Sequence, residues 1–417
     1  MRRSEERGVG SARAPSGTTS SFDGSLLTPR SSRLDVQALR ATEFPWAVRR
    51  ESIYLNSAST GPLPARTVRA IAEFNEARTQ PHRLTDAMVF GMLDQSRALV
   101  ARLIGAEPHE IALAANTGYG VNLAAFALPL ERGDVVLAPD LEFPANVYPW
   151  MAAAERRGIE FRRLPLVDGL PDEPGLLLAI EREPRVKVVT VTWVSFVSGY
   201  RVDLAALSRA CRARGAWLVV DAIQGVGVAP LDVHADGVDI LTCGAQKWLL
   251  SPWGSGFVYV REALIETLTP PQVSWMAFAG TDDFTRLTDY RYEWRADARR
   301  FEQITLPYQD FAGMNASLAL LEELGRDAVI AHVERAATRI VKWAEGRDDL
   351  TLVTPADPAR RAGIVAVRPR DAVAASARLK EANVIHSLRE GAIRLSPHCF
   401  TTDEEIDRAL ALLVRSG

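Results

Sequence analysis

The chain has 417 residues, 47% of them hydrophobic, and a formal net charge of −3 at pH 7. That is enough apolar material for a sizeable core and two domains, and the interleaved charges offer no basic block to a nucleic acid. Three widely spaced cysteines (Cys211, Cys243, Cys399) and six scattered histidines form neither a disulfide framework nor a metal-ligand pattern, so a reduced, cytoplasmic protein without metal is expected.

Residues 1–37, rich in Ser, Gly, Arg and Thr as far as residue 33, lack apolar periodicity and read as a disordered tail. No apolar run is long enough to span a membrane. Residues 38–62, closing in the turn formers Thr60-Gly61-Pro62, are expected to be an N-terminal arm packed on a small domain. Helical spacing follows over 65–77 and 92–104. Short apolar runs then alternate with helical patterns: strands are predicted over 111–115, 134–138, 160–164, 187–193, 217–221, 240–243 and 256–260. Helices fall between them over 118–128, 145–157 and 203–214. This alternation predicts an α/β large domain, residues 63–308, with a mostly parallel seven-stranded sheet covered on both faces. From residue 309 the pattern changes to helices over 313–324 and 327–346. Runs over 363–368, 372–382, 392–395 and 403–414 complete a smaller α+β C-terminal domain, 309–417.

In an open α/β sheet, ligands sit at the carboxyl ends of the strands. Asp221 closes the apolar run Trp217-Leu218-Val219-Val220, and Lys247 follows the next strand. A lysine amine and a carboxylate so placed suit pyridoxal 5′-phosphate (PLP): the amine forms a Schiff base with the aldehyde, and the carboxylate keeps the pyridine nitrogen protonated. The plain alternatives are a helix-capping aspartate and a snorkelling surface lysine. Gln224, one turn beyond Asp221, could donate to the ring's phenolic oxygen. Asn116-Thr117-Gly118 opens a helix and is either an ordinary cap or a phosphate site. Arg394, in the apolar Ile393–Leu395 run, wants a carboxylate, whether a substrate's or an internal one.

Taken together, Leu55–Pro62, Asn116–Ala124, Glu142-Phe143-Pro144-Ala145-Asn146, Ser198–Asp203, Asp221-Ala222-Ile223-Gln224, Lys247-Trp248-Leu249, Arg300-Phe301-Glu302 and Arg394-Leu395-Ser396 resemble the class V aminotransferase superfamily. These are fold-type-I PLP enzymes, and the group also holds cysteine desulfurases, kynureninase and isopenicillin N epimerase-like proteins. The resemblance runs from Tyr54 to the C-terminus. It implies PLP as cofactor, Lys247 as Schiff-base lysine, Asp221 on the pyridine nitrogen and Gln224 on the phenolic oxygen. It also implies Thr117 and Gly118 on the phosphate, Arg394 on the carboxylate of an amino-acid substrate, and Thr305 reaching the phosphate across a homodimer interface.

Departures from the pattern bear on the reaction. Phe143 stands where desulfurases stack a histidine on the cofactor; it can stack but cannot move a proton. Gln246 replaces a common histidine and can still donate to phosphate, Gly244 replaces a serine, and Ile304 precedes Thr305 where glycine is usual. The tight run His386–Gly391 lacks the desulfurase cysteine, and Cys399 lies beyond Arg394, so desulfurase activity is disfavoured. With Lys247 as the one base, transamination is expected. The alternative is C–S lyase-type β-elimination; further alternatives are epimerisation and a non-catalytic PLP-binding regulator. The aromatic stretch with Trp275, Phe278, Tyr290, Tyr292 and Trp294 could line the site's entrance or pack the dimer.

Overall fold

The computed structural model describes residues 34–49 and 51–414. Seven strands form the central sheet, in the spatial order Ile111–Leu113, Gly256–Val260, Ile240–Gly244, Trp217–Asp221, Val186–Thr192, Val135–Pro139, Glu160–Leu164. All neighbours run parallel except Gly256–Val260, which is antiparallel to both of its own. Every one of the seven predicted strands is present. Alternate side chains enter different cores: Leu218 and Val220 join one apolar cluster, and Val219 joins another with the helix Thr117–Ala127. The sheet is therefore covered on both faces, as the unbroken apolar runs require.

Helices also stand where the spacing placed them, with shifted ends. The helix expected from residue 92 opens at Asp86, where the Thr85 hydroxyl caps the Met88 N–H. Leu166–Val167 pairs with Leu170–Pro171, and the helix Glu173–Arg182 follows; neither was expected. The helix Tyr308–Leu324, read as the start of the small domain, sends Phe311, Met314, Leu318 and Leu321 into the large sheet's core. The change of pattern at residue 309 is thus not where the core changes.

A second, wholly antiparallel sheet has the order Leu350–Leu352, Val365–Pro369, Ala392–Leu395, Ser387–Arg389. Glu390 and Gly391 turn the last hairpin with φ of 44° and 74°, the left-handed pair that a two-residue turn needs to match strand twist. One face of this sheet packs on the helices Arg326–Ala344, Ala372–Glu381 and Asp403–Leu413. At the N-terminal end, Ile53-Tyr54 adds in parallel to Val384-Ile385, and Asn56 bridges to Ser396. The helix Val36–Glu43 begins inside the stretch expected to be tail, and its Arg40 pairs with Glu405 at 2.8 Å. Residues 1–33 of the expected tail lie outside the described residues.

Candidate active site

The carboxyl ends of the parallel strands bring the candidate residues together. Asp221 lies in register between Thr192 and Thr242 and is 1% exposed. Its Oδ1 accepts from the Ile223 N–H at 3.1 Å, while Oδ2 has no partner among the described residues. Burial pushes this carboxyl up to about 6; the Ile223 N–H and the nearby Lys247 pull the other way. A buried carboxylate oxygen without a donor is costly, and a protonated ring nitrogen is the donor it lacks.

Lys247 sits in the turn after Ile240–Gly244. Burial depresses its amine to about 8; Asp221 opposes the shift and Arg394 adds to it. The Nζ lies 5.6 Å from the Phe143 ring centroid, and Phe143 meets Phe196 edge-on at 5.3 Å. Two glycines shape this turn. A Cβ on Gly244 would stand 2.5 Å from the Gln246 amide oxygen, and one on Gly61 would stand 2.0 Å from the Lys247 carbonyl oxygen. The Gly61 N–H donates to the Gln246 carbonyl at 2.8 Å, stitching the N-terminal arm to the lysine turn.

Beside the lysine, Trp248 is 1% exposed. Its indole N–H donates to Gln224 Oε1 at 2.9 Å, and its ring stacks on His398 at 5.6 Å. His398 in turn donates from Nε2 to the Trp248 carbonyl at 3.0 Å and accepts at Nδ1 from the Cys399 N–H at 2.7 Å. Those two partners leave only one tautomer, because a carbonyl only accepts and an amide N–H only donates. Burial lowers His398 to about 4, so it is neutral. Gln224 also donates to the Ala58 carbonyl at 3.0 Å. Its amide is therefore chiefly a strut holding Trp248, with one N–H left for a ring oxygen.

Thr117 opens its helix from the end of Ile111–Leu113. Its hydroxyl accepts from the Gly244 N–H at 2.9 Å, and the Asn116 side chain caps the Tyr119 N–H at 3.0 Å. The Thr117 hydroxyl proton and the Gly118 N–H are left at the positive end of an 11-residue helix, the arrangement an anion needs. The Gln246 side chain, half-buried in the adjoining turn, forms no hydrogen bond with the described residues.

Arg394 is 2% exposed and has no carboxylate partner among the described residues. Its Nη1 donates to the Phe196 carbonyl at 2.8 Å and its Nη2 to the Ser59 hydroxyl at 2.7 Å; Nε is unpaired. Burial lowers this guanidinium to about 10, and Arg389 adds to the effect. The internal acid that could have claimed it is absent.

Two contributors were missed from sequence. Ser59 seats Arg394 and is itself held by Asn56 at 2.9 Å and Ser387 at 3.1 Å. Glu142 accepts from the Thr192 N–H at 2.9 Å, from the Thr192 hydroxyl, and from Asn146 Nδ2 at 3.0 Å. Burial raises its carboxyl to about 7. It fastens the Phe143 loop to the strand next to Asp221, and the signal for it lay in the stretch Glu142–Asn146, which carries the family resemblance without marking a role for the glutamate. Thr305 is exposed and borders Tyr308, and no contact joins it to the other candidates within this chain.

All three cysteines are buried, and burial raises their thiols, Cys211 and Cys399 to about 12. A cavity of about 790 Å³ is walled by Trp275, Phe278, Tyr290 and Tyr292 among others, and by none of Thr117, Asp221, Lys247 and Arg394. It contains none of the candidate residues, so the chemistry and not the size of a hollow identifies the site. Among the described residues no helix is long and apolar enough to cross a membrane, and no group of His, Cys, Asp or Glu could hold a metal.

The aminotransferase class-V family model matches residues 53–408. The chain is 31% identical to isopenicillin N epimerase of Streptomyces clavuligerus over 85% of its own length and 92% of the relative's. It is 30% identical to a probable cysteine desulfurase of Aeropyrum pernix, over 81% and 83% of the two chains. A solved structure of a C-DES mutant, with glycine covalently linked to its PLP cofactor, superposes with a TM-score of 0.81 at 23% identity, covering 90% of this chain and 98% of that one. The chain belongs to the class V aminotransferase family, and its cofactor is pyridoxal 5′-phosphate. The orphan oxygen of Asp221, the desolvated Lys247 and the open helix end at Thr117 fit that group. Kinship with desulfurases means that membership alone does not set sulfur chemistry aside, nor does it single out transamination.

Proposed function

We propose that the protein acts at the α-carbon of an amino acid with a single base, Lys247, and that the reaction is transamination. The observation that carries this is a set of three charged groups that feel one another and form no salt bridge within the described residues: Asp221, whose Oδ2 is bare, the Lys247 amine and the Arg394 guanidinium.

When bound, PLP supplies an aldehyde that condenses with amines and a ring that accepts an electron pair. Thr117, Gly118 and Gln246 would hold its phosphate, Asp221 Oδ2 would keep its ring nitrogen protonated, and Phe143 would cover one face. Arg394, aimed by Ser59 and the Phe196 carbonyl, takes the substrate's carboxylate bidentately. Lys247 Nζ, near neutral pH close to its own midpoint, removes the proton from the α-carbon and, from that same face, would hand it to the cofactor's former aldehyde carbon and not back to the α-carbon, as transamination requires. A second base is needed for inversion. Phe143 offers none, and the Glu142 carboxyl is spent on Thr192 and Asn146, which supports one-base chemistry over epimerisation. With every cysteine buried, no thiol of this chain is placed to accept sulfur, which weighs against the desulfurase route. In the same reading a second copy of the chain brings Thr305 to the phosphate.

Borohydride should fix the cofactor on one peptide, that of Lys247, and Lys247→Ala should abolish the adduct and cut turnover about 10³-fold or more. Offered an amino-acid panel with a keto acid, the enzyme should form a new amino acid stoichiometrically. Ammonia and pyruvate without need of a keto acid would replace transamination by β-elimination; an adduct elsewhere would sink the site.

A further inference from the structure

We propose that the substrate is an amino acid with a second carboxylate at the far end of its side chain, recognised by Arg389 and Arg368. This inference rests on the function proposed above and narrows its substrate class.

The argument starts from sheet register. Ser387 pairs with Arg394, and Arg389 pairs with Ala392, across one hairpin. Ala366 pairs with Arg394 on the other side, which carries Arg368 to the row of Ala392. Paired and alternate residues share a face, so Arg368, Arg389 and Arg394 project from the same side of this sheet. The opposite side is the apolar one: Val365, Val367, Ile393 and Leu395 lie in the core against the helices. The arginine side is the site side, because Ser387 and Arg394 both meet Ser59 there.

None of the three arginines is ion-paired within the described residues. Arg389 spends one donor on the adjacent Leu388 carbonyl at 3.1 Å and is exposed. Arg368 lies across the hairpin turn, its Nε 3.9 Å from where a Cβ on Gly391 would sit. Arg389 is close enough to Lys247 and Arg394 to depress both. The face is therefore an unneutralised cationic strip leading outward from the buried Arg394. Two residues along an antiparallel strand span about 7 Å, close to the separation of the carboxylates in an extended five- or six-carbon diacid. Arg394 takes the α-carboxylate, and the outer pair takes the distal one.

The test compares L-glutamate and L-2-aminoadipate with L-glutamine and L-norleucine, using the holoenzyme. Affinity is read from visible absorbance titrations, and from calorimetry with glutarate against butyrate, which bind without reacting. The parent protein should prefer the diacids, the preference should shrink as salt is added, and R368Q/R389Q should cut the diacid-to-neutral ratio about tenfold. A parent with no such preference, or a ratio unmoved in the double variant, overturns the inference while the borohydride adduct on Lys247 stands. Loss of that adduct in the parent would overturn the underlying reading and this one with it.

Discussion

Lys247 and Trp248 are neighbours in the chain and opposites in their bonding. Around Trp248 the side chain and the carbonyl are matched: the indole with Gln224, the carbonyl with His398, and the histidine's other nitrogen with the Cys399 N–H. Around Lys247 the amine has no hydrogen bond, Asp221 keeps one bare oxygen, and Arg394 keeps a bare Nε and no counter-ion. Buried polar groups left unpaired cost stability, so a fold that keeps two of them, Asp221 Oδ2 and Arg394 Nε, near a half-buried amine is waiting for something to pair them. The matched cluster next door holds the unmatched one in place.

Breaking the unmatched side should cost chemistry and not stability. Asp221→Asn should lower turnover about 10²- to 10³-fold, the consequence of stripping a buried charge of its counter-ion. The same variant should be the more stable one without cofactor. Because Asp221 titrates near 6 in the fold, above its ordinary carboxylate range, the folded protein binds the extra proton and stability falls as pH rises through that window. Above pH 6 the cofactor-free variant should therefore exceed the parent by on the order of 2 kcal/mol, read by urea unfolding at pH 5 and 7.5. Arg394→Gln comes next: kcat/KM should fall about 100-fold, mainly through KM, for the loss of a bidentate pair. A loss of stability to match would mean that Arg394 is structural.

Breaking the matched side should do the reverse. His398→Phe strands the Trp248 carbonyl and the Cys399 N–H, and should cost about 2 kcal/mol of stability with a modest effect on KM. Since His398 is held down at about 4, its contribution is whole above pH 6.5 and drains away as pH falls toward 4. The variant should lose that part of the acid sensitivity, measured by denaturant titration across pH 4–7.5.

The pattern of residues went far toward the fold and half-way into the site. All seven central strands were legible because strands buried on both faces read as solid apolar runs bounded by turns. The helix Glu173–Arg182 was not, because Pro174-Gly175 looks like a break. In the structure that proline occupies the first turn, where its missing N–H costs nothing, and Asp172 caps Gly175. Asp221, Lys247 and Thr117 could be found because each lies at or shortly after the carboxyl end of a strand. Ser59 and the Trp248–His398 contact could not: their partners lie hundreds of residues away in the first case and 150 in the second, and nothing local marks them. Gln224 was located, but the bonds its amide makes to Ala58 and Trp248 were invisible until the chain was folded.

The stretch from Ile53 to Gly61 is the one piece of backbone that touches nearly everything. It extends the small sheet at Val384-Ile385, bridges to Ser396, anchors Gln224 through Ala58, steadies Arg394 through Ser59, and ends against the Lys247 carbonyl. Nine residues thus thread the carboxylate grip and the amine onto a single line, so a pull at either end is felt at the other. A shortened gene beginning downstream of this thread would yield a protein whose central strands remain but whose two working ends no longer know each other's position.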